Sequence, residues 1–218
     1  MNIAIIPARS GSKRIRYKNV KKFLGHPIIY WSIKKAKESN IFDKIIVSTD
    51  SKRIKSIAEN LGCSVPFLRP KKISGDRTGI DEVIFHSLNL LKKIKPKFVC
   101  CISATSPLIL SKDLIAGLKK IKKNKLDFVF SAAKYDYPIQ RSFQFKKKKL
   151  KMLYAKYYNS NTQDLNEIFH DAGQFYWGTT DAWFNKKKIF TKNSSIIEIP
   201  NYRVQDIDTM EDWKYAEL

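Results

Sequence analysis

Two short runs, Ile3-Ala4-Ile5-Ile6 and Phe98-Val99-Cys100-Cys101-Ile102, contain no charged or hydroxyl-bearing side chain. A strand with one wet face alternates apolar and polar residues, so an unbroken apolar run of strand length belongs in a sheet covered on both faces, the usual setting of parallel strands. The intervening chain supplies the cover. Behind Pro27, at a first helical position, Ile28, Ile29, Trp31 or Ser32, Ile33 and Ala36 recur at helical spacing up to Ser39-Asn40. A strand follows at Lys44–Ser48, then a helix with Ile54, Ile57, Ala58 and Leu61 on one face, closed by Gly62. Asp50 suits the cap of that helix better than a catalytic role. A short strand at Cys63–Val65, a polar turn around Ser74-Gly75-Asp76, a long helix from Thr78 to Ile94, a helix at Ser111–Lys123 and a strand at Asp127–Ala132 complete the pattern. Strand and helix in strict alternation predict an α/β fold with a doubly wound, mostly parallel sheet. Ligands of such sheets collect at the carboxyl ends of the strands.

The first strand runs straight into Pro7-Ala8-Arg9-Ser10-Gly11-Ser12-Lys13-Arg14, followed by Lys18-Asn19. Gly11 between two serines lets backbone N–H groups turn toward an anion without a Cβ in the way, and Arg9, Lys13 and Arg14 add compensating charge. A surface loop after an edge strand would hold the same residues, and on composition alone the two readings stand level. The spacing is neither the Walker pattern nor the three-glycine dinucleotide fingerprint, so a nucleoside triphosphate would be bound by some other architecture.

At 218 residues the chain suits a single α/β domain, 1–218, with room for a small excursion. No apolar run reaches the roughly 18 to 20 residues needed to cross a bilayer, and no leader precedes the first strand, so a cytoplasmic protein with no membrane partner is expected. The formal net charge of +22 raises the alternative of a basic nucleic-acid-binding module. Its lysines, however, sit singly or in pairs on polar helix faces, as in Lys34-Lys35, Lys92-Lys93 and Lys119-Lys120, without interleaved aromatic platforms. A solvated surface with no specific nucleic-acid partner follows. Cys63, Cys100 and Cys101 are expected as reduced core thiols, since vicinal residues on a strand face opposite ways. His26, His86 and His170 lack ligand spacing.

The alternation breaks at about residues 137–170, where the chain turns aromatic and polar and a hairpin is expected around Lys146–Lys149. Near the end, Asp206 and Asp208 stand two apart, which on an extended segment aims both carboxylates the same way with Cα atoms about 6.5 Å apart. Hard oxygen ligands of this kind suit Mg²⁺, with Mn²⁺ as a substitute, completed by substrate phosphates. The competing reading makes them a lead-in to the last helix. Thr209 with Asp212 already accounts for that helix start.

The Pro7–Arg14 run with Lys18-Asn19 resembles the opening of the CMP-nonulosonic acid synthetases, cytidylyltransferases that activate nine-carbon sugar acids. The likeness continues through Val47-Ser48-Thr49-Asp50, Val65-Pro66-Phe67-Leu68-Arg69-Pro70, Asp171-Ala172-Gly173-Gln174-Phe175-Tyr176-Trp177 and Arg203-Val204-Gln205-Asp206-Ile207-Asp208-Thr209, nearly the whole chain. The last two motifs look most like the branch acting on pseudaminic acid. The resemblance implies a Rossmann-like nucleotidyltransferase sheet and transfer of CMP from CTP to the anomeric hydroxyl of a sugar acid, with N-acetylneuraminic or legionaminic acid as rival acceptors. It implies a small protruding β element for homodimerisation in the excursion, where Phe143, Phe145, Tyr154, Tyr157 and Tyr158 fit an interface, the alternative being a packed β excursion of a monomer. Nucleotide contacts would come from Ala8, Arg9, Ser10, Gly11, Ser12, Lys13, Asn19, Arg69, Thr78 and Ser103. Ser103 replaces a glutamine that lies near cytosine in the sialic acid enzymes, which leaves the base to backbone groups. Lys13, Asp206 and Asp208 would be catalytic, the two aspartates holding Mg²⁺. Gln140, Arg141, Gln163, Asp171, Gln174, Phe175, Tyr176 and Gln205 would bind the sugar, although aromatics at strand alternation fit a core equally well.

Overall fold

The computed structural model describes residues 1–218. In chain order it contains β1 (Asn2–Pro7), the two-residue strands β2 (Lys22–Phe23) and β3 (His26–Pro27), α1 (Ile28–Glu38), β4 (Lys44–Ser48), α2 (Lys52–Asn60) and α3 (Ile80–Leu90). There follow β5 (Phe98–Ile102), α4 (Ser111–Asn124), β6 (Phe128–Lys134), the hairpin β7 (Phe143–Lys146) and β8 (Lys149–Met152), β9 (Phe169–Thr179), α5 (Thr180–Phe184), β10 (Ser194–Glu198) and α6 (Met210–Glu217). One six-stranded sheet in the order β10-β6-β9-β5-β1-β4 forms the centre. β1 pairs in parallel with β4 and β5, and β10 with β6, while β9 runs antiparallel between β5 and β6.

Both faces of the sheet are covered, which is why β1 and β5 needed no polar residues. Ala4, Ile6, Cys100 and Ile102 pack with α1, α2 and α4 on one side. Ile3, Ile5, Val99 and Cys101 pack with α3 and α5 on the other. α4 lies so close to β9 that a Cβ at Gly117 would stand 2.5 Å from Trp177 Cδ1, and the Trp177 indole donates to the Leu114 carbonyl at 3.0 Å. A third, smaller cluster matters most for the site. Ile15, Phe23 and Ile28 pack with Ile207, Trp213 and Ala216, so burial of apolar surface draws the C-terminal segment back onto the loop that follows β1.

Several local expectations are corrected. Ser51, not Asp50, caps α2, accepting from the Ile54 N–H at 3.3 Å. Pro27 precedes α1 with an extended ψ instead of occupying its first turn. α3 is shorter than its apolar pattern, starting after Gly79 and stopping at Leu90. Cys63–Val65 forms only a single bridge, Ser64 to Ile46. Gly11 has no left-handed backbone, and a Cβ there would meet only Arg9 Nη1 at 3.7 Å, so the fold itself does not require glycine at that point. The β7–β8 turn is left-handed at both Lys147 and Lys148, with φ of 51° and 59°, the twist a tight hairpin needs, here without the usual Asn-Gly. No helix is long and apolar enough to cross a membrane.

Candidate active site

The loops leaving β1 and β5 and the segment between α2 and α3 meet at one end of the sheet and enclose a hollow of about 290 Å³. The β1 loop is held from below by its neighbours. Ala8 N–H donates to the Ser48 carbonyl at 2.9 Å and Asn19 Nδ2 to the Arg9 carbonyl at 2.8 Å. The Asp50 carboxylate accepts both the N–H and the Oγ–H of Ser10 at 2.8 Å. Asp50 is therefore the loop's anchor, a role set by a contact forty residues away in sequence that no local pattern announces. Ser10 is turned to that anchor and does not line the hollow, whereas Arg9, Ser12, Asn19, Arg69, Thr78 and Ser103 do.

Three cations, Arg9, Lys18 and Arg69, and one acid, Asp76, stand in the wall. Arg69 is 5% exposed, donates through Nε to Ser74 Oγ at 3.1 Å and has no carboxylate within ion-pair distance. Burial lowers its pKa, the Asp50 charge opposes that, and the guanidinium faces the hollow as a desolvated cation. Arg9 and Lys13 both reach Asp76, at 2.6 and 2.8 Å. Hydrogen bonds from Lys13 and then Arg9 hold the Asp76 carboxyl below its usual range. Asp76, part of what the sequence marks only as a polar turn, thus stands where these two cations converge. Ser103 lines the hollow, but its N–H already donates to the Gln174 carbonyl at 2.9 Å and its carbonyl accepts from Ser32 Oγ at 2.7 Å. Base reading by this residue's own main chain is correspondingly restricted.

A second hollow of about 240 Å³ adjoins the first, sharing Ser103, Thr105, Gly173 and Tyr176 and adding Asp171, Gln205 and Asp206. Gly173 is left-handed, with φ of +65°, and this turns its N–H onto Asp171 Oδ1 at 2.8 Å. Tyr176 donates its hydroxyl to Asp171 Oδ2 at 2.5 Å. Burial, then the Asp171 charge, push the tyrosine pKa far up, so this hydroxyl serves as a donor and not as a base.

The two C-terminal acids differ. Asp208 is paired with Arg14 at 2.7 Å and Lys18 at 3.3 Å, and Lys18 also donates to the Ile207 carbonyl at 2.6 Å while lining the first hollow. The Asp206 carboxylate has no hydrogen-bond or ion-pair partner and borders the second hollow. Partial removal of water, then repulsion from Asp208, push its carboxyl above the ordinary range against the pull of Lys18 and Arg14. No group of three or more His, Cys, Asp or Glu gathers anywhere. Asp206 borders the second hollow, while Asp208 lines neither hollow and is neutralised by Arg14 and Lys18; both carboxylates are hard oxygen ligands of the type that suits a divalent ion.

Other residues of the sequence reading lie elsewhere. Phe175 is fully buried in the core, and Gln174, 3% exposed, donates its amide to the Arg203 carbonyl at 2.5 Å. Neither faces a hollow. Successive residues of a strand point to opposite faces, so Phe175 and Tyr176 cannot share one pocket. Gln140 is buried against the Asn166 carbonyl, Arg141 donates to the Ser160 carbonyl, and Gln163 is exposed, all three within the excursion and outside both hollows.

A cytidylyltransferase family profile matches residues 3–212. The chain belongs to the cytidylyltransferase family. A pseudaminic acid cytidylyltransferase of Campylobacter jejuni is 40% identical over 220 residues, covering 100% of this chain and 95% of the relative. An N-acylneuraminate cytidylyltransferase of Escherichia coli is 27% identical, covering 98% of this chain and 51% of the relative. Among solved structures, a CMP:2-keto-3-deoxy-manno-octonic acid synthetase complexed with CTP aligns with a TM-score of 0.76 at 14% identity, covering 99% of this cytidylyltransferase and 96% of that chain. That last likeness is one of fold.

Proposed function

We propose that this cytidylyltransferase transfers CMP from CTP to the anomeric hydroxyl of pseudaminic acid, forming CMP-pseudaminic acid and pyrophosphate. The observation that carries the reaction is the continuity of a cation-lined hollow with a second one bordered by Asp206. The choice of sugar is supported by the 40% identity to a relative named for pseudaminic acid, against 27% to one named for N-acylneuraminate.

CTP brings about four negative charges, and catalysis of its transfer is chiefly positioning and charge neutralisation. Arg9, Ser12 and Arg69 hold the triphosphate in the first hollow, and Lys13, exposed beside it, joins them as it and Arg9 exchange Asp76 for phosphate oxygens. Asp206 and Asp208 would hold Mg²⁺, or Mn²⁺ in its place, and the ion would neutralise phosphate charge and lower the pKa of a bound hydroxyl. The acceptor occupies the second hollow. There Asp171, fixed by Gly173 and Tyr176, accepts from a hydroxyl or amide N–H of the sugar, and its charge steers the sugar's carboxylate away. The anomeric oxygen attacks the α-phosphorus, the bond to the β-phosphate bridging oxygen breaks, pyrophosphate leaves, and the hydroxyl proton passes to solvent. No covalent enzyme intermediate forms.

The exposed Phe143, Phe145, Leu150 and Tyr158 of the excursion form the contact of a homodimer, and from there the exposed Arg141 and Gln163, but not the buried Gln140, would approach an acceptor bound by a second copy. Pyrophosphate release measured with CTP and a panel of sugar acids tests the assignment. Pseudaminic acid should give the highest kcat/KM, and a higher value with N-acetylneuraminic or legionaminic acid would replace it as the substrate.

A further inference from the structure

Arg203 lines neither hollow, yet it holds the segment that carries both acids. Its guanidinium grips Asp113 as a fork, Nη1 to Oδ2 at 2.6 Å and Nη2 to Oδ1 at 3.2 Å, with the two side chains 10% and 7% exposed. Asp113 sits in the first turn of α4, where its Oδ2 also accepts from the Leu110 N–H at 3.2 Å and closes the helix start. The Arg203 carbonyl accepts from Gln174 Nε2, and the Gln174 carbonyl accepts from the Ser103 N–H in the wall of the first hollow. One residue therefore ties the C-terminal segment to α4, to β9 and to the end of β5.

Beyond Arg203 the chain has no regular structure until α6. Its far end is fixed by Ile207, fully buried in the third cluster, and by Asp212, which accepts from the Asp208 and Thr209 N–H groups at 3.0 and 2.7 Å. Asp206 sits between Arg203 and these anchors, and Gln205 Nε2 donates at 3.3 Å to the Asp206 carbonyl and to Asp212 Oδ1. Asp208 has Arg14 and Lys18 to orient it, but Asp206 has no side-chain partner, so its direction is set by the backbone on either side.

We infer that the Arg203–Asp113 fork is a positioning pair that aims Asp206 at the second hollow and so sets the strength of divalent-ion binding there. The inference rests on the metal-holding role proposed above for Asp206 and Asp208. Outer groups that orient metal ligands change metal affinity by about 10- to 100-fold when removed.

The test is calorimetric titration of the intact protein with CTP, without acceptor sugar, in Mg²⁺ and again in EDTA. The readout is the factor by which Mg²⁺ tightens CTP binding. Asp113→Asn keeps an oxygen for the Leu110 N–H but removes the charge of the fork, and should shrink that factor about 10-fold while leaving affinity in EDTA within about twofold. Arg203→Lys keeps the charge, loses the fork, and should give a smaller reduction of the same kind. An unchanged factor in Asp113→Asn overturns the inference, as does an equal fall of both affinities with a lowered Tm, the mark of a purely structural pair. Asp208→Ala separates the two levels. If it leaves the factor at the wild-type value, the metal reading of the acids fails; if it collapses the factor and Asp113→Asn does not, only the positioning role fails.

Discussion

The strand-end hollows and the excursion at residues 137–168 are built by opposite rules. Beside the hollows several polar groups are fixed by partners from other parts of the chain: Ser10 by Asp50, Asn19 by the Arg9 carbonyl, Ser103 by the Gln174 carbonyl. In the excursion the large apolar side chains point outward, Phe145 at 70% and Tyr158 at 76% exposed, and the hairpin turns on two left-handed lysines. A rigid sheet can offer a triphosphate site from one chain. A hairpin with its apolar face in water remains unfinished until something covers it.

The largest effect that would break this contrast lies in the site. Asp208→Ala should lower turnover at least ~100-fold, the scale of the several kcal/mol a bound metal contributes, with circular dichroism and Tm showing the fold intact. Unchanged turnover removes the metal assignment. Next is the excursion, where Phe143→Asp with Phe145→Asp should convert a dimer into the 25.3 kDa monomer by light scattering. A wild-type protein already monomeric at micromolar concentration would instead make the hairpin an ordinary exposed flap. Gly117→Ala should destabilise by about 1–3 kcal/mol, because the new methyl must push Trp177 aside, yet leave KM for CTP unchanged. A shift in KM would mean that the α4–β9 packing reaches the site directly. The smallest expected effect is none at all. Cys63 and Cys101, pushed up to about 11 and about 12 by burial, and Cys100, also raised, should resist a thiol reagent at pH 8 in the native protein, while trypsin nicks the Lys146–Lys149 turn. Labelling of Cys100 or Cys101 before that cut would show the sheet opening more readily than the hairpin.

How much of this was legible in the sequence follows from the range of each interaction. β1 and β5 could be read because burial on both faces leaves a continuous apolar run. β9 is not legible as the antiparallel strand between β5 and β6, since a left-handed Gly173 and a bulge beside Ser131 interrupt its alternation. Arg9 and Ser12 stand out because a cation-rich loop after a buried strand is a local pattern, and Asn19, Arg69, Thr78 and Ser103 come with the family resemblance. Asp50 and Asp76 escaped because their partners lie far along the chain. The only hint was a carboxylate at a strand end or in a Ser-Gly turn in a chain otherwise rich in cations. Phe175 and Gln174 were misplaced for a simpler reason, that a motif taken as a block ignores the two faces of a strand.

On the proposed function, cations after β1 and acids before α6 act on one bound triphosphate. The most direct test of this is pyrophosphate release from CTP and pseudaminic acid, followed together with the CMP sugar by mass spectrometry, in Mg²⁺ and in EDTA. The account predicts one pyrophosphate per CMP sugar in Mg²⁺ and neither product in EDTA. Equal rates in the two conditions, or pyrophosphate released without the sugar acid, would contradict it.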